Sequence, residues 1–216
     1  MNAVTPIQRP RAGRPTREQA EARQLELLDR ALDHFLDKGY EQATIEAIAA
    51  DVGMTKRTVY ARYPEKRLLF LAAVSRAVDR YAVPDEAIRG CETDDLEQTL
   101  VNIATLRIDL VATPQGQKLQ RIVNTESYRF PEIFTEMYER GALPSVRFLA
   151  DVLDRAAATG ELAIEDPEAY ANAFMSLVVT GPVRFILAAN PLPPAEIEER
   201  VRFGVTLFLN GARTRG

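Results

Sequence analysis

Residues 44–64 read Thr44-Ile-Glu-Ala-Ile-Ala-Ala-Asp-Val-Gly53-Met-Thr55-Lys-Arg-Thr-Val-Tyr-Ala-Arg-Tyr-Pro64. Ile45, Ile48, Ala49 and Val52 recur on one face of a helix that Thr44 can cap. Gly53 ends that helix, because glycine accepts the left-handed conformation of the residue just past a helix C-terminus. After Met54 alone, Thr55 caps a second short helix that runs to about Arg62, and Pro64 stops it. Two short helices joined by a tight glycine turn form a helix-turn-helix pattern. With Val59 facing inward, Lys56, Arg57, Thr58 and Arg62 face solvent. The first turn of the second helix is therefore crowded with donors suited to base edges and phosphates.

Working outward, the pattern has a brace before it. Thr16 and Gln19 have the spacing of a capping box, and Leu25, Leu28, Leu32, Phe35 and Leu36 follow at helical spacing to about Lys38, where Gly39 ends the helix. Residues 1–15 hold Pro6, Pro10, Gly13 and Pro15 among Arg9, Arg11 and Arg14, which reads as a flexible basic arm. Such arms reach an adjacent minor groove, where arginine is the suitable side chain, although a plain solvated tail has the same composition.

Charge supports this polarity. The whole chain of 216 residues has a net charge of −4, but residues 1–67 carry 12 Lys/Arg against 10 Asp/Glu, and the remainder 15 against 21. A basic end on an acidic body fits a nucleic-acid-binding head joined to another module. Hydrophobic residues make up 46% and charged residues 27%, enough for a real core. Cys91 and His34 are each alone, which excludes a disulfide framework, a cysteine metal site and a Ser–His pair; no cofactor and no metal are expected. Enzyme parts such as a Gly-rich phosphate loop are also missing. The first 24 residues are polar rather than apolar, and the uncharged stretch from Ala169 to Val183 is shorter than the ~20 residues a bilayer needs. A cytoplasmic protein with no membrane partner is the expectation.

Residues 39–70 resemble the TetR/AcrR family of regulators. The likeness is carried by Gly39-Tyr40, Thr44, Ile48-Ala49, Gly53, Thr55-Lys56, Thr58-Val59-Tyr60, Tyr63-Pro64 and Lys66, with Gly13-Arg14-Pro15 in the arm. Where the family often has glycine after the recognition-helix lysine, this chain has Arg57, whose reach makes it the best candidate base reader. Val52 and Glu65 also depart from the family pattern. The first is a packing variation; the second puts a carboxylate at a helix N-terminus, where the dipole favours it. The DNA-contacting set expected is Arg11, Arg14, Thr44, Thr55, Lys56, Arg57, Thr58, Tyr60, Arg62, Tyr63 and Lys66, with Lys66 as a phosphate anchor. Thr44, Tyr60 and Tyr63 fit cap and packing roles equally well.

Downstream the chain continues as helices. They run over about 65–81, then 94 or 95 to 111 (closed by Pro114), 115–128, from Pro131 with an interruption at Gly141 and Pro144 to Gly160, 167–188, and a last one after Pro194; residues 83–93 read as a loop. No segment alternates like a strand. The fold class is all-α: an arm (1–15), a helix-turn-helix domain (16–64) and a helical effector-binding and dimerisation domain (65–216). Arg121 to Gly141, with Gly160-Glu-Leu and Glu165-Asp-Pro167, resembles the AefR-like C-terminal domain, which implies a helical ligand or dimerisation domain. Arg107, Arg121, Asn124, Tyr128, Phe134, Tyr138, Phe148 and Phe174 are the candidate pocket residues; each fits an ordinary core as well. Phe174, Leu177, Val178, Gly181, Val201, Val205 and Phe208 lie on wide stripes that two copies would cover across a twofold axis. The reading is a homodimeric regulator of a palindromic double-stranded DNA operator, most simply a repressor released by a small molecule. A ligand-independent regulator or activator, and a helical interaction module that no longer binds DNA, are the alternatives.

Overall fold

The computed structural model describes residues 16–188 and 192–213. Thr16 opens α1 (Arg17–Gln42) with a complete capping box: Gln19 N donates to Thr16 Oγ1 at 3.2 Å and Thr16 N to Gln19 Oε1 at 3.1 Å. Gly39, at φ 76°, kinks α1, and one further turn follows before the helix ends. Then come α2 (Ile45–Asp51) and α3 (Lys56–Arg62), capped by Thr44 and Thr55, whose hydroxyls accept from Ala47 N at 3.3 Å and Thr58 N at 3.1 Å. Between them Met54 N donates to Ala49 O and Gly53 N to Ala50 O, with Gly53 at φ 63°. That pair of bonds is a Schellman motif, and it sets the tight turn.

The next helix, α4 (Lys66–Tyr81), belongs to both halves of the chain. Two compact units meet within it, the first ending at Ala73, not at residue 64. The reason is packing. Leu69 and Phe70 of α4 are fully buried, and Phe70 meets Phe35 edge-on at 4.9 Å and Tyr40 at 5.2 Å. Leu27, Leu28, Ala31, Ile45, Ile48, Ala49 and Val59 complete the core of the first unit.

The second unit is also helical. Residues 83–93 are not all loop, because α5 (Asp85–Arg89) forms after Pro84 and buries Ile88. Asp95 caps α6 (Leu96–Ala112), accepting from Glu97 N at 2.9 Å. α6 ends directly before Pro114, with Thr113 extended, and the same proline opens α7 (Pro114–Glu126), where its missing N–H costs nothing. The chain then forms α8 (Pro131–Glu136), a π-helical turn π1 (Met137–Ala142) and α9 (Leu143–Ala158). After a connection it forms α10 (Pro167–Phe174), a second π turn π2 (Met175–Thr180), α11 (Gly181–Ile186) and α12 (Pro194–Ala212). Each π turn is followed within two residues by a proline, Pro144 or Pro182. A proline ring collides with the carbonyl four residues back, and widening the preceding turn relieves that collision. The helices read as 131–160 and 167–188 are thus columns with a π turn in each.

In this unit α6 packs on α7 and α12, and α9 on α10. Phe174, Val178, Val201, Val205 and Phe208 close this core themselves, with Phe174 and Phe208 edge-on at 5.2 Å. They are therefore not available for a seam between copies, a correction to their assignment above. Leu177 and Gly181 do reach the surface. The stripe read as one is two: the outer face carries Leu177, Phe185, Phe203 and Leu207, exposed by 47, 37, 71 and 51%. These four, with Gly181, line a groove of about 480 Å³. No helix among the described residues is long and apolar enough to cross a membrane.

Candidate nucleic-acid interface and effector cavity

The helix-turn-helix presents its polar residues unevenly. Arg57 and Arg62 are exposed on α3 and have no ion-pair partner among the described residues. Lys56 is already engaged: it pairs with Glu46 of α2 and lies 5.3 Å over the ring of Tyr60. The hydrogen bond between them holds the Glu46 carboxyl below, and the Lys56 ammonium above, their ordinary ranges. Nothing in the sequence marked this pair, since residues 46 and 56 meet only once the two helices cross. Thr55 and Thr58 share a hydroxyl contact of 2.8 Å, Thr44 is exposed at its cap, and Tyr60 is exposed.

Two members of the expected set have other partners. Tyr63 is buried, and its hydroxyl accepts from Gln24 Nε2 at 3.2 Å. Lys66 Nζ donates to Glu41 O at 3.0 Å and Ala43 O at 3.2 Å, and lies 4.6 Å over the Tyr40 ring. Lys66 therefore holds the end of α1, whose last carbonyls have no helical donor. Arg11 and Arg14 lie outside the described residues.

The lone histidine and cysteine are structural. His34 Nε2 is 3.5 Å from Asp51 Oδ2, which Arg30 approaches as well, at 3.9 Å. Cys91 is buried and donates to Ala87 O at 3.5 Å; burial raises its pKa, the opposite of what a reactive thiolate needs.

In the second unit a cavity of about 380 Å³ lies between the two π turns, α6 and α7. It brings together Arg107, Phe134 and Tyr138 of the expected pocket residues. Phe134 and Tyr138 stack at 6.3 Å with 9° between rings, and the Tyr138 hydroxyl donates to Asn172 Oδ1 at 3.4 Å. The other five are elsewhere. Tyr128 is completely exposed, Arg121 and Asn124 are exposed on the outside of α7, Phe148 packs against the core and Phe174 is inside it. Helical spacing placed Arg121 and Asn124 of α7 one face away from the cavity, which that helix lines instead with Gln120 and Val123, and Tyr128 follows the end of the helix. Asn172 of α10 and Ser176 and Thr180 of π2 were also missed; Pro182, which follows π2, was the available signal for the last two.

Arg107 is the unusual residue of the cavity. It is 6% exposed, and Nη1 donates to Gly141 O of π1 at 2.7 Å. Its Nε is buried without a partner, and burial pushes its pKa down. On the far side of π1, Arg140 Nη1 donates to Ser75 Oγ at 2.9 Å, and Arg140 pairs with Asp79, both on α4.

Comparison with known proteins is consistent across the chain. Residues 27–73 match the family model for bacterial regulatory proteins of the tetR family. Residues 98–211 match the model for the C-terminal domain of AefR-like transcriptional repressors. The HTH-type transcriptional repressor ComR of Escherichia coli K12 is 26% identical over 157 residues, 71% of this chain and 74% of that protein. A crystal structure of a tetR-type regulator from Mesorhizobium loti shares the fold at a TM-score of 0.75 and 23% identity, covering 93% of this chain and all of that one. The structure of the flavonoid-responsive regulator FrrA gives a TM-score of 0.68 at 28% identity, covering 90% of this chain and all of that one.

Proposed function

The chain belongs to the TetR family of transcriptional regulators, and from that premise we propose that it is a homodimeric repressor released from a palindromic operator by a small molecule. The observation that carries the DNA half is α3. It is capped, braced by a buried Val59, and presents Arg57 and Arg62 without partners to neutralise them. Arg57 reads base edges in the major groove, and Arg62, Thr44 and the caps of α2 and α3 meet phosphates. Lys56 exchanges Glu46 for DNA, and Arg11 and Arg14 enter the minor groove. A single head reads few base pairs, so two heads on half-sites one helical turn apart, or a multiple of it, supply the specificity. Leu177, Gly181, Phe185, Phe203 and Leu207 form the face that joins the copies. ComR is a repressor and FrrA responds to flavonoids, which favours repression and a ligand here.

The effector would act through α4. Arg140 links π1 to Ser75 and Asp79 of that helix, whose other end holds the carbonyls of Glu41 and Ala43 through Lys66. A ligand shifts the heads only so far as it prefers one arrangement of π1 to another.

Selection of genomic fragments by the purified protein tests this reading. A palindrome should emerge, and Arg57→Ala should weaken it by about 1–3 kcal/mol while relaxing one base position. If Arg57→Ala weakens random and selected duplexes equally, Arg57 is not the base reader. If no duplex is retained even at low salt, the repressor reading falls.

A further inference from the structure

We infer that the cavity between the two π turns receives a small carboxylic acid, and that the Arg107 guanidinium binds its carboxylate. The inference rests on the ligand-released reading above and adds the chemical class of the ligand.

The case begins with the cost of Arg107. A guanidinium removed from water needs a counter-charge or a full set of acceptors. Arg107 is more than nine-tenths buried, yet no carboxylate pairs with it among the described residues, and its one hydrogen bond goes to a neutral carbonyl. Other cations of the chain show the contrast. Arg140 pairs with Asp79 and Glu136, Arg155 with Glu92, and Lys56 with Glu46, although all three are far more exposed. Arg107, for which an ion-pair partner matters most because it is buried, has none among the described residues, and it lines a cavity.

The shape of the vacancy selects the acceptor. The guanidinium that lines the cavity is a planar fork that matches the two oxygens of a carboxylate. A second negative charge, as on a phosphate dianion, would find no second cation, since every other residue of the lining is uncharged. At about 380 Å³ the space is near the lower end of ligand pockets, which span roughly 300–1,000 Å³. It therefore suits one ring or a branched chain, and the stacked Phe134–Tyr138 pair offers a flat apolar wall. Both π turns found among the described residues border this one cavity, and such turns are frequent at functional sites. Gly141, which holds Arg107, is next to Arg140, so a carboxylate that draws the guanidinium also loads the turn tied to α4.

The test uses the full chain, freed of small molecules, in calorimetry against benzoate, phenylacetate and 3-methylbutanoate, each beside its own carboxamide. At least one acid should bind at up to millimolar concentration, with its amide weaker by about tenfold or more, as removal of a charge-assisted contact implies. Arg107→Met should lose that preference and, without ligand, melt at or above the wild-type temperature, because an apolar side chain replaces a buried uncompensated cation. Should that variant not fold, Arg107→Lys keeps the charge and loses the fork, so its preference for acid should shrink. Acids and amides that bind alike, a panel in which no acid binds, or an acid preference that survives loss of the guanidinium would overturn the inference. Operator release is scored separately by gel shift. An acid that binds yet leaves the DNA complex intact refutes the release mechanism and not the carboxylate site, whereas release by a neutral compound with no acid binding refutes only the site.

Discussion

One face of α12 carries Val201, Val205 and Phe208, all buried in the chain's own core; the other carries Phe203 and Leu207, exposed by 71 and 51%. The residues are alike in size and hydrophobicity, and they differ in what lies against them. The inner face meets α6 and π2, while the outer face borders the groove with Leu177 and Phe185. Apolar character on a helix therefore does not say which face is buried, and only the neighbours separate the two. On one face a substitution should act on folding, on the other on assembly.

The largest effect should come from Val205→Glu. An unpaired carboxylate in the core costs about 3–5 kcal/mol, enough to unfold a marginal domain. Thermal melting followed by circular dichroism should show the loss, and a native-like melt would place Val205 at a surface instead. The double change Phe203→Glu with Leu207→Glu should do the reverse, keeping the helical signal and the melt while light scattering falls from dimer to monomer. If the double variant stays dimeric, the outer face is not the seam.

Two glycines of α12 sharpen the contrast at smaller magnitude. A Cβ at Gly204 would lie 3.2 Å from Val178 Cγ2, whereas one at Gly211 would meet nothing within 4 Å. Gly204→Val should cost about 1–3 kcal/mol by overpacking. Gly211→Ala, on the exposed side of the last turn, should gain up to about 0.5 kcal/mol, somewhat less than helix propensity gives mid-helix. Urea titrations that rank the two in the opposite order would put the inner and outer faces the wrong way round.

The same division runs through the rest of the molecule. In the head, Thr16, Thr44, Thr55 and Gly53 take the caps and turn that their local spacing implied, because each of those bonds closes within five residues. The partners of Lys56 and Lys66 were not legible, being 10 and 23–25 residues away along the chain. In the second unit Arg107, Phe134 and Tyr138 reach the cavity, but Arg121, Asn124 and Tyr128 do not. A helical wheel gives the period of a stripe and not the direction of the core, and on polar α7 the two are easily confused.

Helix capping, the left-handed glycine turn and the donor-rich start of α3 were thus determined by sequence alone, since their physics is short-ranged and each needs only its neighbours in the chain. Which apolar stripe closes the core, which stays exposed, and that Arg107 is buried beside a carbonyl rather than a carboxylate, were decided only by tertiary structure. Burial and ion pairing depend on what other helices bring to the same place, and residues 107 and 141, or 178 and 204, become neighbours only after the chain has folded.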